Sequence, residues 1–403
     1  MNINRLSWVN LVSNPFNTIL SLLLMSFGVG IISLLLLLNN SVEDKLYRNL
    51  KGVDMVIGAK GSPLQLILSS IYHIDNPTGN ISLKEVNKIK SNPFIKSTIP
   101  LSFGDSFKGF RIVGTTGEYL KLFQASLKEG KLWNKNMQVV IGSDVEIATS
   151  LKIGSDFYSS HGLIDGGEIH KEHALNVVGI IEKTNTIIDK LILTDSESIS
   201  KIHDNESNHN HKEKGELCHN KTSDMITSML VKFRSPVGLI NIPREINETT
   251  NLQAAVPTFE INRLISLLGL GIQSINMIAF IIIIVSALSI FISLYNSLKR
   301  RRYELALMRV YGATRLQLVR LVFQEGMLVS MLGLIFGILL SRVVLFMVSF
   351  FINHNYSFYT IQLSLIKEEL WLFPVTFLVG LAASLIPIIQ AYHINIPKTL
   401  SNA

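Results

Sequence analysis

The chain has 403 residues, of which 48% are hydrophobic and 17% are charged, and its formal net charge is +7. Its single cysteine, Cys218, excludes the internal disulfide framework of small secreted proteins. The positive mean hydropathy of +0.35 comes from a few nearly charge-free segments, whereas the middle of the chain has the composition of a soluble domain. These features predict a membrane protein with a large domain outside the bilayer.

Four apolar segments are long enough to cross a bilayer as helices, because each has about 20 residues or more. The first is too long for the apolar part of a signal peptide, and the residues Asn39, Asn40 and Ser41 after it do not form a cleavage site. The sequence therefore predicts one retained span at the front and three at the back. Their predicted bounds are Ile19–Leu38, Ile272–Leu294, Gly326–Ile352 and Leu370–Tyr392.

Basic residues between the second and third spans predict the orientation of the chain. Cytoplasmic loops carry such an excess, so we expect this loop and both termini in the cytoplasm and the middle domain outside. The same clustering beside the spans argues against nucleic-acid binding. The loop with Lys367, Glu368 and Glu369 has little net charge, as expected for an outer loop. The basic residues are Lys299, Arg300, Arg301, Arg302, Arg309, Arg315 and Arg320.

The middle domain alternates helix-like and strand-like segments, which predicts an α+β fold. The segments Leu83–Ser91 and Asp144–Leu151 have helical patterns. Lys60, next to Gly61, suggests a phosphate loop, but the Gly-Lys-Ser/Thr ending of that motif is missing. ATP binding by this route is therefore excluded. The predicted strands are Phe94–Ile99, Gly109–Val113, Gln138–Ile141 and Leu175–Ile181.

Residues 202–224 form a polar, histidine-rich loop within this domain. Imidazole, carboxylate and thiolate groups are the ligands that Zn²⁺ prefers. Their spacing matches no fixed zinc motif, so three interpretations stay open: a hydrophilic loop, a metal-binding segment and a pH-sensitive contact. The zinc-ligand candidates are His203, His209, His211, Cys218 and His219.

Two short helices are predicted at the inner membrane surface. Residues Asn4–Leu11 mix apolar and polar side chains ahead of Pro15, which predicts an interfacial helix before the first span. In the basic loop, Leu305, Met308 and Val310 form an incomplete apolar stripe that ends before a glycine. An amphipathic helix there suits contact with a soluble protein, and the alternative is a basic membrane anchor. A second helix, starting at Arg315, is predicted to run into the third span.

Small residues recur every four positions in the third and fourth spans, which predicts close helix packing. Arg342 is the one charge well inside a span, and it either pairs with a polar group on a neighbouring helix or extends its side chain outward. Pro387 is expected to kink the last helix. The predicted packing residues are Gly333, Gly337, Ser341, Gly380 and Ser384.

Together these features resemble the MacB/FtsX, or type VII, family of ABC transporter permeases, which includes the LolC/LolE lipoprotein-release subunits. The arrangement of one span, a large domain and three spans carries the resemblance, as does the similarity of Arg302–Ala313 to the family's cytoplasmic signature. Asn395-Ile396-Pro397 departs from the Asp-Pro pair usual near the family's end. The motifs similar to the MacB periplasmic core are Phe110–Leu120, Glu129–Trp133, Val139–Ser143, Leu151–Gly154 and Val177–Ile180.

The resemblance implies a membrane protein of four transmembrane α-helices (1+3) with a large α+β extracytoplasmic domain, similar to the MacB periplasmic core, between the first and second spans. Residues 1–41 would hold the interfacial helix and first span. Residues 42–265 would form the outer domain, and 266–403 the FtsX-like permease domain with a stalk. The segments Gly58–Gln65 and Tyr72–Asp75 are also similar to a subgroup associated with metal-related operons.

The function that the resemblance implies is that of a non-catalytic permease subunit in the bacterial inner membrane. ATP and Mg²⁺ would bind a separate ABC ATPase, and its hydrolysis would move the outer domain for export, a lipoprotein or envelope process, or a metal-related process. A second copy or a paralogue would complete a dimer, and a periplasmic or lipoprotein partner is expected. The ATPase-coupling residues would be Arg302, Glu304, Met308, Gly312 and Ala313.

Two other functions are alternatives to the permease. An FtsX-like regulator would move its outer domain to activate an extracytoplasmic hydrolase, and co-purification of such a hydrolase would favour it. A membrane protease would need a Ser-Lys dyad, paired carboxylates or a His-Glu-x-x-His pattern, and none is identifiable in the sequence.

Overall fold

The computed structural model describes residues 3–13, 15–160, 169–202, 225–352 and 366–393. The chain divides into two compact units: Met1–Val42 with Leu267–Ala403, and Glu43–Ser266. The described part of the first unit is helical, and the second unit contains all the described strands. The helices, in chain order, are α1 (Ile3–Ser13), α2 (Pro15–Leu50), α3 (Pro63–Ser70), α4 (Leu83–Lys90), α5 (Glu118–Leu122), α6 (Ser143–Thr149), α7 (196–202), α8 (Val237–Thr249), α9 (Pro257–Arg300), α10 (Arg302–Val310), α11 (Arg315–Ile352) and α12 (Leu372–Tyr392).

The described residues contain four helices long and apolar enough to cross a membrane, which confirms the predicted fold class. The helices extend beyond the predicted spans: α2 has 36 residues and α9 has 44. At 1.5 Å per residue these lengths are about 54 Å and about 66 Å, against a hydrocarbon core of about 30 Å. Both helices therefore continue well outside the apolar layer, into segments of ordinary polar sequence.

The second unit, here called the outer domain, is built around a mixed sheet. Among the described residues ten strands pair in the order β12-β1-β11-β3-β4-β9-β6-β8-β5, with β7 pairing with β3 and β8, while β2 pairs with β10 separately. The strands are β1 (Met55–Ala59), β2 (Ile81–Ser82), β3 (Ile95–Phe107), β4 (Phe110–Gly114), β5 (Leu127–Gly130), β6 (Gln138–Ile141), β7 (Asp156–Ser160), β8 (Ile169–Ile181), β9 (Ile192–Thr194), β10 (Met225–Ile226), β11 (Ser228–Phe233) and β12 (Leu252–Ala255).

Strand β3 connects the two halves of this sheet. Its first part pairs with β11 and its second part with β4, and the register shifts between Phe103 and Ser106. A bulge of this kind bends a strand and lets it serve two differently oriented groups of partners. Met55 and Ile242 lie in one apolar cluster and Ile112 and Val177 in another, while the largest cluster contains residues of both halves.

One end of α2 and one end of α9 belong to the main core of the outer domain. Leu50 of α2 and Ile261 of α9 are buried in the largest apolar cluster. The Tyr47 hydroxyl of α2 donates a hydrogen bond to Asn262 Oδ1 of α9. The Tyr72 hydroxyl also donates to the carbonyl of Leu46, at 2.9 Å. These contacts fix the last turns of α2 to the first turns of α9 and to the domain core.

Lys60 has a structural role in the outer domain. Its Nζ donates to the carbonyl oxygens of Asn247, Thr250 and Leu252, at 2.7, 3.0 and 3.2 Å. These carbonyls lie at and just after the C-terminal end of α8, where a cation satisfies unpaired acceptors and interacts favourably with the helix dipole. The lysine is therefore engaged by backbone rather than positioned in a phosphate loop.

Candidate ATPase-coupling site

Helix α10 lies between α9 and α11 and ends in a turn that requires glycine. Gly312 has a φ of +95°, a left-handed conformation that other residues adopt at a cost. The amide of Gly312 donates to Arg309 O at 3.1 Å, and the amide of Ala313 donates to Met308 O at 2.9 Å. This pair of bonds is the Schellman arrangement, which satisfies the last carbonyls of a helix. The predicted end of this helix at Gly312 follows from that geometry.

The next helix begins directly after the turn. Thr314 Oγ1 accepts from the amide of Gln317 at 3.2 Å, and Gln317 Oε1 accepts from the amide of Thr314 at 2.8 Å. This reciprocal capping box satisfies two amides at the start of α11. Helix α10 ends and α11 begins within a few residues, and both of these ends are capped. The segment therefore holds α10 in a defined position at the end of the third span.

One face of α10 packs against the ends of the spans. Leu305 and Ala306 are buried, and Leu305 lies in an apolar cluster with Leu298 of α9, Leu318 of α11 and Ala391 of α12. Truncating a buried leucine to alanine typically costs about 2–5 kcal/mol. The helix is therefore anchored to three spans at once through this face.

The other face of α10 and the turn after it expose large apolar side chains. Tyr311 is 86% exposed and Leu316 is 76% exposed, and Tyr303 and Val310 are exposed as well. Arg302, Glu304, Arg315 and Arg320 are exposed around them. Exposed apolar groups rimmed by charges mark protein or membrane interaction sites. We call the exposed side chains among residues 302–316 the coupling surface.

The N-terminal helix α1 is hydrogen-bonded to the residue that precedes α10. Arg301, which precedes α10, donates through Nη2 to Asn10 O at 3.4 Å and to the Ser13 hydroxyl. The side-chain amide of Asn10 donates to Glu325 Oε1 of α11 at 2.5 Å, and Gln324 of α11 donates to Asn4 Oδ1 at 3.0 Å. The predicted interfacial helix, α1, is therefore held by hydrogen bonds to Arg301, next to the coupling surface, and to α11.

The structure places the five predicted coupling residues in three different settings. Arg302 and Glu304 are exposed on the outward face of α10. Met308 is half-buried and packs against the apolar cluster on the inward face. Gly312 and Ala313 form the closing turn. Their role in ATPase contact stays a prediction.

One part of the predicted apolar stripe is wrong. Val310 was expected on the same face as Leu305 and Met308, but it is 59% exposed. Residues five positions apart on a helix do not share a face, and Val310 is also the last helical residue before the turn. Tyr303, Tyr311 and Leu316 were missed, although their size and their position beside arginines could have indicated a docking face.

Small residues of α11 make close contact with α2. A Cβ added to Gly333 would lie 2.7 Å from Met25 Cβ, and one added to Gly337 would lie 2.8 Å from Val29 Cβ and 2.9 Å from Ser26 O. The helices approach this closely only because glycine has no side chain at these positions. Met25 and Val29 are fully buried as a result.

The fourth span packs against the third in the same way. A Cβ added to Gly380 of α12 would overlap the Ser330 hydroxyl of α11. A Cβ added to Gly326 would lie 3.1 Å from Ser384 Cβ. Glycine and serine therefore alternate across this interface, and α12 continues as a helix through Pro387.

A buried ion pair joins three elements of the first unit. Arg342 Nη2 donates to Glu369 Oε2 at 2.7 Å, and the Ser33 hydroxyl of α2 donates to Glu369 Oε1 at 2.6 Å. Ser341 Oγ lies 2.8 Å from Ser33 Oγ, and the amide of Ile366 donates to Glu369 at 3.1 Å. The arginine is 8% exposed and the glutamate is fully buried.

This ion pair corrects one expectation and decides another. Glu369 was expected in a loop, but it lies in a 3-10 helix, Lys367–Trp371, and its side chain is fully buried. Arg342 pairs with it rather than extending outward. Burying a carboxylate requires a charged partner and hydrogen bonds, and Arg342 with Ser33 supplies both.

The zinc candidates His203, His209, His211, Cys218 and His219 lie outside the described residues, as does most of the 202–224 loop. The Asn395-Ile396-Pro397 segment is also outside them. Within the described ranges, no group of three or more His, Cys, Asp or Glu side chains is arranged to hold a metal ion.

Comparison with solved structures gives distant similarity for the outer domain. The periplasmic region of MacB from Actinobacillus actinomycetemcomitans is 15% identical, with 55% of this chain and 98% of that one covered and a TM-score of 0.35. The extracellular domain of the noncanonic ABC-type transporter YknZ from Gram-positive bacteria is 9% identical, covering 50% and 98%, with a TM-score of 0.31. A permease domain from Porphyromonas gingivalis is 12% identical, covering 51% and 88%, with a TM-score of 0.27.

Matches to sequence-family profiles show which family the chain belongs to. No curated protein matches the chain. The profile of the MacB-like periplasmic core domain matches residues 18–246, more than half of the chain. The profile of the FtsX-like permease C-terminal domain matches residues 276–396, the part that contains α10, α11 and α12. The chain therefore belongs to the MacB/FtsX family of ABC transporter permeases.

Proposed function

We propose that the chain is a non-catalytic permease subunit that converts ATP hydrolysis on a separate ABC ATPase into movement of its outer domain. The observation that carries this proposal is the two-sided character of α10. One face is buried against three spans, and the other exposes Tyr311 and Leu316 among arginines. A helix of this kind suits the transfer of force from a soluble protein to the membrane helices.

The docking of the ATPase is assigned to the coupling surface. Tyrosine and arginine are among the residue types that most often dominate the binding energy of protein–protein interfaces. Tyr311 offers the largest exposed fraction among these residues, and Arg302 and Glu304 supply charges of both signs beside it. ATP and Mg²⁺ bind the partner ATPase, because this chain carries no Walker A sequence.

The transmission step rests on tight packing in the first unit. Gly333 and Gly337 bring α11 into contact with α2, and the Arg342–Glu369 pair adds a polar connection between α11, α2 and the start of the fourth span. Close-packed interiors transmit strain because they have little free volume. A displacement of α10 is therefore expected to move the spans together rather than to open a path between them.

The connection to the outer domain rests on helix continuity. Helix α2 is unbroken from Pro15 to Leu50, and α9 is unbroken from Pro257 to Arg300. Each begins in one compact unit and ends in the other. The segments in the outer domain are held in its core through Leu50, Ile261 and the Tyr47–Asn262 hydrogen bond. These helices would act as stalks that carry the motion outward.

The remaining parts of the proposal come from the family and from the charge pattern. Two permease chains, identical or paralogous, would bind two ATPases and sit in the bacterial inner membrane with both termini in the cytoplasm. The basic residues around Arg300–Arg302 support this orientation. The process served would be export or extraction of an envelope substrate, with a periplasmic or lipoprotein partner on the outer side.

A glycine insertion tests the transmission step. Three glycines inserted after Val42, where α2 passes from one unit to the other, should interrupt the stalk. The matched control places the same insertion after Lys108, in the exposed turn between β3 and β4. The ATPase should still bind in both variants, since the coupling surface is unchanged.

The readout is hydrogen exchange of the ATPase complex with and without ATP. In the unmodified protein and the Lys108 insertion, ATP should change exchange rates both in α10 and in the outer domain. In the Val42 insertion, the change should persist in α10 and disappear from the outer domain. An outer domain that responds equally in both insertions would contradict the proposal, as would one that never responds. A hydrolase recovered with the complex would identify the chain as a regulator of that hydrolase instead.

A further inference from the structure

The outer domain contains a cluster of polar side chains that the coupling mechanism does not use. His73 follows α3, Phe103 lies on β3, Arg111 on β4 and Tyr119 on α5. The Phe103 ring contacts two of them, with its centroid 5.2 Å from that of His73 and 5.1 Å from Arg111 Cζ. His73 and Arg111 are 7% and 6% exposed, and Tyr119 is fully buried.

Arg111 is buried, and none of the described carboxylates lies within ion-pair distance of its guanidinium. Within the described part of the chain, its guanidinium forms no hydrogen bond and no ion pair within 4.0 Å, and its Nη1 atom is fully buried. Burial lowers the pKa of Arg111, and Asp75 acts on it only at longer range. Burying a charge without a paired group costs several kcal/mol. Stacking on Phe103 offsets only a small part of this cost.

His73 presents a second unpaired donor beside the same ring. Its Nε2 lies 3.0 Å from the Tyr119 hydroxyl, and its Nδ1 is buried with no hydrogen-bond partner among the residues that the structure describes. The buried hydroxyl has Nε2 as its one acceptor in the described residues, so Tyr119 donates and the proton of the neutral ring lies on Nδ1. Burial and the nearby Arg111 lower the pKa of His73 to about 3, so the ring stays neutral.

Another arginine of the same domain, Arg234, has a structural role. Arg234 donates through Nε to the carbonyl of Ile95 at 3.0 Å, so its charge is engaged by backbone. Arg111 has no such bond. His73 also has a φ of +54°, a conformation that is costly for a non-glycine residue and that recurs at binding sites. Both observations favour a binding role for the cluster.

We propose that this cluster is a binding site for a carboxylate group. Arg111 supplies a planar pair of donors that matches a carboxylate, and Phe103 packs against the bound group. His73 Nδ1 is a further unpaired donor next to the same ring. A single guanidinium with Asp75 nearby favours a monoanion over a doubly charged phosphate. The site reaches the surface, because His73 and Arg111 each keep a small exposed fraction, 7% and 6%.

The ligand is therefore a small carboxylate-bearing molecule that enters the outer domain from the extracytoplasmic side. This assignment does not depend on the ATPase or on the movement of the stalks. It would hold for an exporter and for a regulator, since it concerns only residues within one compact unit.

The test measures the thermal unfolding midpoint of the detergent-solubilised full chain against acetate, propionate and inorganic phosphate, with chloride at matched ionic strength. Carboxylates should raise the midpoint saturably in the unmodified protein. Arg111→Met keeps an unbranched apolar side chain at this position but removes the guanidinium and its charge, and it should weaken binding by roughly tenfold or more. Arg244→Met removes the same charge from an exposed surface and should bind like the unmodified protein.

Stability separates a binding role from a structural one. Without ligand, Arg111→Met should unfold at the same or a higher temperature than the unmodified protein, because an unpaired buried charge has been removed. Arg234→Met should unfold at a lower temperature. The proposal is overturned if no carboxylate gives a saturable shift, if Arg111→Met responds like the unmodified protein, if phosphate stabilises more than the carboxylates, or if Arg111→Met is destabilised as much as Arg234→Met.

Discussion

Replacing Glu369 with glutamine is expected to destabilise the permease by about 3–5 kcal/mol, because the substitution removes the carboxylate that pairs with the buried Arg342 guanidinium. The carboxylate holds Arg342 at 2.7 Å and accepts the Ser33 hydroxyl at 2.6 Å. The measurement is the thermal unfolding midpoint in detergent, together with the yield of monodisperse protein. Glu368→Gln is the matched control, since the neighbouring glutamate is exposed, and its midpoint should hardly change.

A double-mutant cycle separates the ion pair from a general effect of the substitution. Arg342→Met alone should also destabilise, because it leaves the glutamate buried without its counter-ion, held only by the hydrogen bonds from Ser33 and Ile366. The double substitution Arg342→Met with Glu369→Gln removes both charges, and it should recover a large part of the lost stability. If the two single effects simply add, the side chains do not interact as the structure places them.

Gly337→Ala is the second substitution with a large expected effect. The new methyl group would lie 2.8 Å from Val29 Cβ and 2.9 Å from the backbone oxygen of Ser26, and backbone cannot yield as a flexible side chain can. Overpacking of this kind typically costs about 1–3 kcal/mol. The unfolding midpoint should fall, and disulfide crosslinking between α2 and α11 at flanking positions should slow because the helices separate.

Gly271→Ala in α9 is the control for that substitution. An added Cβ at Gly271 meets no atom within 4 Å, so the exchange is the same but the surroundings are open. Alanine has a higher helix propensity than glycine by about 1 kcal/mol, so this variant should be as stable as the unmodified protein or slightly more stable. Equal losses at the two positions would show that helix packing is not the reason for glycine at Gly337.

Much of the fold could be predicted from local patterns. The apolar segments predict the four spans because helices of soluble proteins seldom combine such length with so little charge. Gln138–Ile141 forms a strand over the predicted residues, and Leu83–Lys90 forms a helix nearly as predicted. These elements depend on periodicity and on nearby turn residues. The extension of α2 to Leu50 was not predicted, because it depends on packing into the core of the outer domain.

The sites were harder to predict because they depend on residues far apart in the sequence. Glu369 looked like a loop residue, and only the folded chain shows that it meets Arg342 and Ser33. Arg111 did carry a local signal: it shares a face of β4 with buried Val113, where an apolar residue is expected. Its lack of a partner, however, follows only from the arrangement around it.

The most direct test of the account is photo-crosslinking from position 311 in the native cells. A benzophenone side chain replaces Tyr311, which is 86% exposed on the coupling surface, and in a second variant replaces Trp371, which is 76% exposed at the start of the fourth span. We expect an ABC ATPase to be crosslinked from position 311 and not from position 371. An ATPase crosslinked from position 371, or none from position 311, would contradict the proposed coupling surface and orientation.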